Sequence, residues 1–149
     1  MDTKIAFADL QFQGCFIEKI NISNNIYCIS KENMTVSLDV KNGIGEIIQN
    51  CDLNCLQANL VLDLTVTAIS NNDQNLKYQL NIVLNGLFYY YGTDPDTFNN
   101  MLLLNGNSTL YSIARSHIIT FTSLSSTSGQ IVLPMINFVK LLENSNEEK

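Results

Sequence analysis

Few residues in the chain carry side chains that do chemistry. His117 is the only histidine among the 149 residues, so any Ser-His-Asp or Cys-His arrangement has to be built around it. It follows Ile113 by one turn in a segment with helical periodicity, and a histidine on or beside an apolar helix face is usually a packed residue. The sequence predicts no catalytic residue and therefore no enzyme.

The cysteines do not predict a metal site. Cys51 and Cys55 have C-x3-C spacing, but a closed zinc site needs four ligands and the sequence has no second close pair. The remaining cysteines are Cys15 and Cys28. Because no secretion signal precedes them, we interpret all four as reduced thiols, and we predict neither a metal nor a cofactor.

Two further patterns are better explained by structure than by chemistry. Gly43 and Gly45 form a G-x-G without a third glycine or a following basic residue, so they predict no phosphate-binding loop. Asp94 and Asp96 flank Pro95, which is typical of the start of a helix rather than of a catalytic carboxylate pair.

The composition excludes some classes of partner and favours others. The chain has eight Lys and Arg residues and a net charge of −6, which argues against nucleic acid because phosphate binding needs clustered basic residues. It has neither a signal-peptide pattern nor an apolar run of roughly 18 residues, so we predict a soluble cytoplasmic chain with no membrane insertion. We predict one domain, residues 1–149.

The first half of the chain shows the period-two alternation of half-buried strands. The clearest segments run from Met34 to Lys41, from Leu60 to Ala68 and from Leu76 to Leu84, and the last two predict a long antiparallel hairpin. A weaker alternation between about Leu10 and Ile22 predicts a further strand, in which Gly14 indicates a bulge.

The second half has helical periodicity. A helix is predicted from Pro95 to about Leu104, ending at Asn105-Gly106, and another from Asn107 or Ser108 to about Ser128-Gly129. A last short helix follows Pro134, and residues 143–149 form a polar tail predicted to be disordered. Strands followed by helices predict an α+β fold, a four-stranded antiparallel sheet with helices packed on one face.

Two segments are apolar on more than one face. They are Leu87 to Tyr91 and Met101 to Leu104, and a single contact between a sheet and a helix does not bury all of their side chains. In a chain with only 15% charged residues, this excess indicates that a subunit or an unfolded ligand covers part of the surface.

Four landmarks, which cover roughly residues 60–142, resemble the SecB family of export chaperones in order and spacing. They are Leu64-Thr65-Val66-Thr67-Ala68, Gly86-Leu87-Phe88, Ile113-Ala114-Arg115 with Ile118, and Leu133-Pro134-Met135-Ile136-Asn137-Phe138. Residues Val36 to Val40 resemble the second strand of that family in pattern.

The resemblance implies a tetramer built as a dimer of dimers, with apolar grooves that bind unfolded or precursor polypeptides without ATP. The groove residues that it implies are Phe12, Phe16, Val36, Leu38, Val40, Phe88 and Phe138. The subunit-interface residues that it implies are Leu80, Ile82, Leu84, Ile118 and Phe121.

The resemblance also implies the motor protein SecA as a partner, but the family's acidic docking positions are occupied here by Lys19, Ser23, Gln79 and Asn81. The leading hypothesis is an ATP-independent holdase for protein export. The alternatives are a SecB-like chaperone of a toxin–antitoxin system, an adaptor that binds one folded partner, and an enzyme or small-molecule binder that uses His117 or the cysteines. The client, SecA binding, and dimer against tetramer stay open.

Overall fold

The computed structural model describes residues 8–27, 33–125 and 129–147. Its strands are β1 (Leu10–Asn24), β2 (Met34–Ile44), β3 (Ile48–Asn50), β4 (Cys55–Ser70) and β5 (Lys77–Tyr90). Its helices are α1 (Pro95–Met101), a π-helical turn (Leu102–Gly106), α2 (Asn107–Ser125) and α3 (Phe138–Glu147).

The predicted hairpin is confirmed and is longer than its alternating segments suggested. β4 and β5 pair antiparallel from Leu56 opposite Tyr90 to Ile69 opposite Lys77. Every second residue of both strands is buried against the helices, because side chains alternate between the two faces of a strand. The opposite face of the sheet, which we call the open face, carries mainly polar residues.

The sheet in the described part of the chain has five strands rather than the predicted four, in the order β1-β5-β4-β2 with β3 also paired to β4. The additional strand is β3, which pairs with the start of β4 between Asn50 and Cys55 and between Ile48 and Gln57. Three residues are too few to show a recognisable alternation, so the pattern alone did not reveal this strand.

Strand β1 contains the predicted bulge at Gly14 and a second one that was not predicted. Its register against β5 shifts between Phe12 and Gly14, and again between Ile17 and Lys19. Each extra residue reverses the faces, so Phe12 lies opposite Phe88 on the helix side whereas Phe16 lies opposite Asn85 on the open face. The two aromatic residues, both implied as groove residues by the resemblance, point to opposite sides of the sheet.

Helix α1 begins where the sequence predicted. The Asp94 side chain accepts hydrogen bonds from the backbone N–H groups of Asp96 and Thr97. The hydrogen bond from the Thr97 hydroxyl, together with these two, lowers the pKa of Asp94. The predicted end at Asn105-Gly106 is wrong, because the chain continues through the π-helical turn into α2. A Cβ added to Gly106 would lie 2.9 Å from Cδ2 of Leu60, so this glycine allows a close approach of helix to sheet instead of ending the helix.

The core lies between the sheet and α2. From α2, Leu110, Ala114 and Ile118 are fully buried, as the helical spacing predicted, while Ile113 and Phe121 pack at its margin. Helix α3 continues to Glu147, into the segment for which the composition predicts disorder. Ser128, at the predicted end of α2, lies outside the described residues.

Candidate functional site

An apolar groove runs along the helix-side face of β2, at one edge of the sheet. Its second wall is the extended segment Gln130–Asn137, which we call the strap, together with the beginning of α3. The groove has two parts, of about 370 Å³ and about 380 Å³, which meet at Leu38. The first is lined by Met34, Val36, Ser37, Leu38, Gln130, Ile131, Val132, Leu133 and Pro134, and the second by Leu38, Val40, Asn42, Leu103, Asn107, Ile136, Phe138 and Leu141.

The β2 wall is apolar because of strand geometry. Val36, Leu38 and Val40 lie opposite Ala68, Val66 and Leu64 of β4, which places them on the same face as the buried β4 residues. No strand of the described chain lies beyond β2 at this edge. Their side chains are therefore only partly covered, and Val36 remains 47% exposed.

Side chains of α2 hold the strap in place through hydrogen bonds to its backbone. The Thr122 hydroxyl accepts from the Ile131 N–H at 3.0 Å, Arg115 Nε donates to the Leu133 carbonyl at 3.0 Å, and the Tyr111 hydroxyl donates to the Pro134 carbonyl at 2.7 Å. Ile131 and Leu133 are buried against the core while Val132 between them is exposed. The strap is therefore a fixed wall, although its backbone is in neither a helix nor a strand.

The far end of the groove is closed by aromatic packing and by the cap of α3. The Tyr111 and Phe138 rings meet edge to face with centroids 5.8 Å apart. The Asn137 side chain accepts a hydrogen bond from the Lys140 N–H at the start of α3. Phe138 is nearly buried, but Leu141, one turn later, is exposed at the rim.

Asn107 adds one polar group to this apolar lining. Its Nδ2 donates to the Leu103 carbonyl at 2.9 Å, and its Oδ1 has no hydrogen-bond partner in the structure although the residue is only 1% exposed. A buried acceptor without a partner costs about 1–3 kcal/mol.

Replacing Thr122 with Val is expected to loosen the strap. The change keeps the shape of a fully buried residue but removes the acceptor for the buried Ile131 N–H, so we expect the free energy of unfolding to fall by about 1–3 kcal/mol. Hydrogen exchange at the Ile131 amide should accelerate as well. Thr122→Ser, which keeps the hydroxyl, is the control, and equal exchange in both variants would contradict the assigned role.

Four of the seven predicted groove residues line this groove, and three do not. Val36, Leu38, Val40 and Phe138 are in it, and their role in client binding stays a prediction. Phe12, 40% exposed, is on the same face but at the opposite edge of the sheet, with β5 and β4 between, and its ring centroid is 5.2 Å from that of Phe88. Phe88 is a core residue, and Phe16 is 58% exposed on the open face because of the first β1 bulge.

The predicted subunit-interface residues are mostly core residues. Four of them have no exposed surface within a single chain, so their side chains are not accessible to a second subunit. They are Leu80, Ile82, Leu84 and Ile118. The physical reason is that Leu80, Ile82 and Leu84 of β5 face α2, while Ile118 of α2 faces the sheet. Only Phe121 is partly exposed, so its role in association stays a prediction.

The structure describes the surroundings of His117 and of three of the four cysteines. The His117 ring stacks on Phe121 with centroids 6.2 Å apart. Burial raises the pKa of the Cys15 and Cys55 thiols, which lowers their thiolate fraction. Cys51 is exposed, and Cys28 lies outside the described residues. Within the described ranges there is no group of three metal-ligating side chains, and no helix is long and apolar enough to cross a membrane.

The positions that match the family's acidic docking residues lie together on the open face. Lys19 is opposite Val83, and Ser23 is opposite Gln79. Asn81 donates to the Asp63 carboxylate at 2.6 Å and to the Thr65 hydroxyl at 3.0 Å. The surface is therefore a hydrogen-bonded polar face, in which the Asp63 carboxylate accepts from Asn81 and the Glu18 carboxylate accepts from Asn85.

Sequence reasoning missed the residues that build the second wall. Thr122 follows Ile118 by four residues and so falls on the apolar face of α2, where a polar residue signals a buried hydrogen bond. Arg115 was noted only as part of a landmark, and Asn107 only as a helix start. The partners of Thr122 and Arg115 in the strap are 9 to 18 residues away, and Asn107 bonds Leu103, one turn before it and outside the strap.

The fold is similar to that of a SecB-like chaperone. The solved structure of the Rv1957 SecB-like chaperone of Mycobacterium tuberculosis, in complex with a ChAD peptide from the Rv1956 HigA1 antitoxin, aligns with a TM-score of 0.68. The alignment covers 87% of this chain and 91% of that chain at 11% sequence identity. No family model and no curated protein matched the sequence. The resemblance to SecB noted in the sequence is thus confirmed at the level of fold.

Proposed function

We propose that this protein is a chaperone that binds unfolded polypeptide segments in the groove between β2 and the strap and holds them without ATP. The observation that carries the proposal is the groove itself, whose β2 wall includes Leu38 and Val40 and whose two parts, which share Leu38, together extend from Met34 to Asn42. At about 3.3 Å per residue, that stretch of β2 spans roughly 26 Å, enough for about eight residues of an extended chain.

The energetics favour a ligand that offers several apolar side chains. Burial of apolar surface contributes about 25 cal/mol per Å², so each side chain that enters the groove adds of the order of 1–2 kcal/mol. Two of the lining residues, Val132 and Leu141, are exposed apolar groups. Such contacts are additive and tolerant of sequence, which suits a holdase more than a receptor for one small molecule.

An antitoxin-like client is the branch that the comparison supports. The SecB-like chaperone with this fold was solved with a peptide from an antitoxin, and we extend that partner class to this chain as part of the proposal. Export of precursor proteins is the second branch. It has less support because Lys19, Ser23, Gln79 and Asn81 provide no acidic surface for SecA.

We further propose that the chain assembles into a homotetramer, a dimer of dimers, in the cytoplasm. Since Leu80, Ile82, Leu84 and Ile118 form the core of each subunit, the contact surface has to be formed by other residues. Exposed Leu124, near the end of α2, and Phe121 are the apolar candidates on that helix. Sedimentation velocity of the purified chain measures the assembly directly.

The function is tested with a chemically unfolded model client diluted into buffer. We expect the purified full chain to suppress light scattering at a near-stoichiometric ratio, without added nucleotide, and to retain the client in a complex on gel filtration. Absence of both suppression and complex formation would overturn the proposal. Binding only to a native partner in a saturable complex would favour the adaptor alternative.

A further inference from the structure

Cys51 and Cys55 lie at the two ends of one tight turn. β3 ends at Asn50 and β4 begins at Cys55, and these two residues are Cα partners in the antiparallel pair, so the loop between them has only four residues. Such partners have Cα atoms about 4.5–5.5 Å apart. Because Cys51 directly follows Asn50, the turn brings Cys55 back close to the point where Cys51 leaves the strand.

Local hydrogen bonds and backbone conformation close this turn. The Asn50 side chain accepts a hydrogen bond from the Leu53 N–H at 3.1 Å and donates to Oε1 of Gln57 at 2.8 Å. Asn54 has a φ of 49°, the left-handed conformation that commonly ends a helical turn and that Asn adopts more readily than most residues. Cys51 and Cys55 are therefore four residues apart across a single closed turn.

The spacing of the two cysteines is close to that of a disulfide. Side chains four residues apart in a helical turn have Cβ atoms about 5–6 Å apart, whereas a disulfide needs about 3.5–4.5 Å. A movement of about 1–2 Å closes the difference, and the loop that has to move, residues 51–54, is exposed throughout.

The two thiols differ in their exposure. Cys51 is exposed, while Cys55 is only 1% exposed. Gln57 and Asn59, the next residues of β4 whose side chains are on the open face, both keep contact with solvent, so Cys55 is shielded at the end of the strand where the turn folds back. A dissolved reagent therefore meets the Cys51 thiol first.

The pair has too few neighbours for a metal site. In the part of the chain that the structure describes, no group of three His, Cys, Asp or Glu side chains could hold an ion, and a structural zinc needs four ligands. Two thiols close together without further ligands are suited to thiol–disulfide exchange, in which an accessible thiol reacts first and a neighbouring thiol resolves the product.

We propose that Cys51 and Cys55 are a redox pair that closes into a disulfide by exchange with a low-molecular-weight disulfide. The Cys51 thiolate attacks one sulfur of the reagent, so a mixed disulfide forms and one reagent thiolate leaves. The Cys55 thiolate then attacks the Cys51 sulfur, so the bond between Cys51 and Cys55 forms and the second reagent thiolate leaves. The protein loses two electrons, the reagent gains them, and the two protons of the protein thiols end on the released reagent thiols.

The disulfide makes the hairpin sensitive to the thiol–disulfide balance of its surroundings. It cross-links the turn between β3 and β4, and β3 is held by only three residue pairs. Because a cross-link removes conformations from the opened hairpin, we expect hydrogen exchange at the β3 amides to slow at least about fivefold on oxidation. Unchanged exchange in the oxidised protein would overturn this effect of the pair on the fold. The inference does not depend on client binding.

Tryptic mapping of the unmodified full chain in glutathione buffers tests the proposal. Cleavage after Lys41 and Lys77 releases residues 42–77, a fragment that contains Cys51 and Cys55 and no other cysteine. With free thiols alkylated before digestion, the oxidised fragment is the one that carries no alkyl group and has lost two hydrogens. We expect half-oxidation in the folded protein at a glutathione disulfide concentration at least about tenfold lower than in the chain unfolded in urea, because the turn raises the effective concentration of one thiol at the other.

Half-oxidation of the folded protein at the same or a higher glutathione disulfide concentration would overturn the proposal, because the turn would then not bring the thiols together. A disulfide that joins fragment 42–77 to the fragment of Cys15 or of Cys28 instead would overturn it as well.

Two single variants test the order of attack. Cys55→Ala should accumulate the mixed disulfide with glutathione at Cys51, whereas Cys51→Ala should form one at the shielded Cys55 at least about tenfold more slowly. Equal rates in the two variants would overturn the assignment of Cys51 as the thiol that reacts first. Circular dichroism of both variants checks that the fold is kept.

Discussion

Replacing both Leu38 and Val40 with Ser is expected to weaken the binding of an unfolded client at least about tenfold while the chain stays folded. Both side chains are half-buried and line the groove. Each loses an apolar contact with the client of about 1–2 kcal/mol, and 1.4 kcal/mol corresponds to a factor of ten in affinity. Fluorescence anisotropy with a labelled unfolded client measures the affinity, and circular dichroism measures the fold.

The matched control uses the same strand and the opposite face. Asp39→Ser combined with Lys41→Ser changes two exposed residues whose side chains lie on the open face and form an exposed ion pair at 3.5 Å, a contact of little energetic weight. We expect client affinity within about twofold of the unmodified protein. Unfolding of the Leu38 and Val40 variant would show that these residues hold the core together, and an equal loss in both variants would remove the groove as the binding site.

Replacing Ile82 with Ala is expected to lower the free energy of unfolding by about 2–5 kcal/mol. Ile82 has no exposed surface and lies in the middle of β5, opposite Leu64 and Ile20. The truncation leaves a cavity between sheet and helix in addition to the lost burial of apolar surface. Urea unfolding at several protein concentrations measures the effect and separates the core role from a role in assembly.

The control for this variant is the neighbouring residue on the other face. Val83→Ala removes less apolar surface from a half-buried position on the open face, opposite Lys19, and should cost clearly less than Ile82→Ala. If Ile82 is a core residue, the free energy of unfolding that Ile82→Ala loses, relative to the unmodified protein at the same concentration, is the same at every protein concentration. A loss that depends on concentration in Ile82→Ala alone would restore the interface assignment.

The strands and their buried faces were largely predictable. The alternation in β4 and β5 identified Leu64, Ile82 and their neighbours as one face, because a half-buried strand repeats every two residues. The ends were less predictable. β4 begins at Cys55 and β5 ends at Tyr90, where Leu87 to Tyr91 is apolar on both faces and no alternation marks the boundary.

The candidate site was predictable only on its β2 wall. Val36, Leu38 and Val40 were named because their pattern resembles a known strand, and the structure places them along a groove. The strap wall depends on hydrogen bonds from Arg115 and Thr122 to a segment without regular secondary structure. Such contacts have no sequence period, so they emerge only from the packed structure.

The sequence by itself determined the α+β layout, the apolar faces of β2, β4 and β5, and the start of α1 at its Asp94 cap. All of these follow from local periodicity and capping, which act over a few residues. Tertiary structure alone decided three other features. Gly106 lies inside a continuous helical segment, and a side chain at that position would collide with Leu60. Two β1 bulges turn Phe16 away from Phe12. Leu80 and Ile82 are core residues because α2 covers them. Each depends on which surfaces meet across the fold, and that information is not carried by the spacing of residues along the chain.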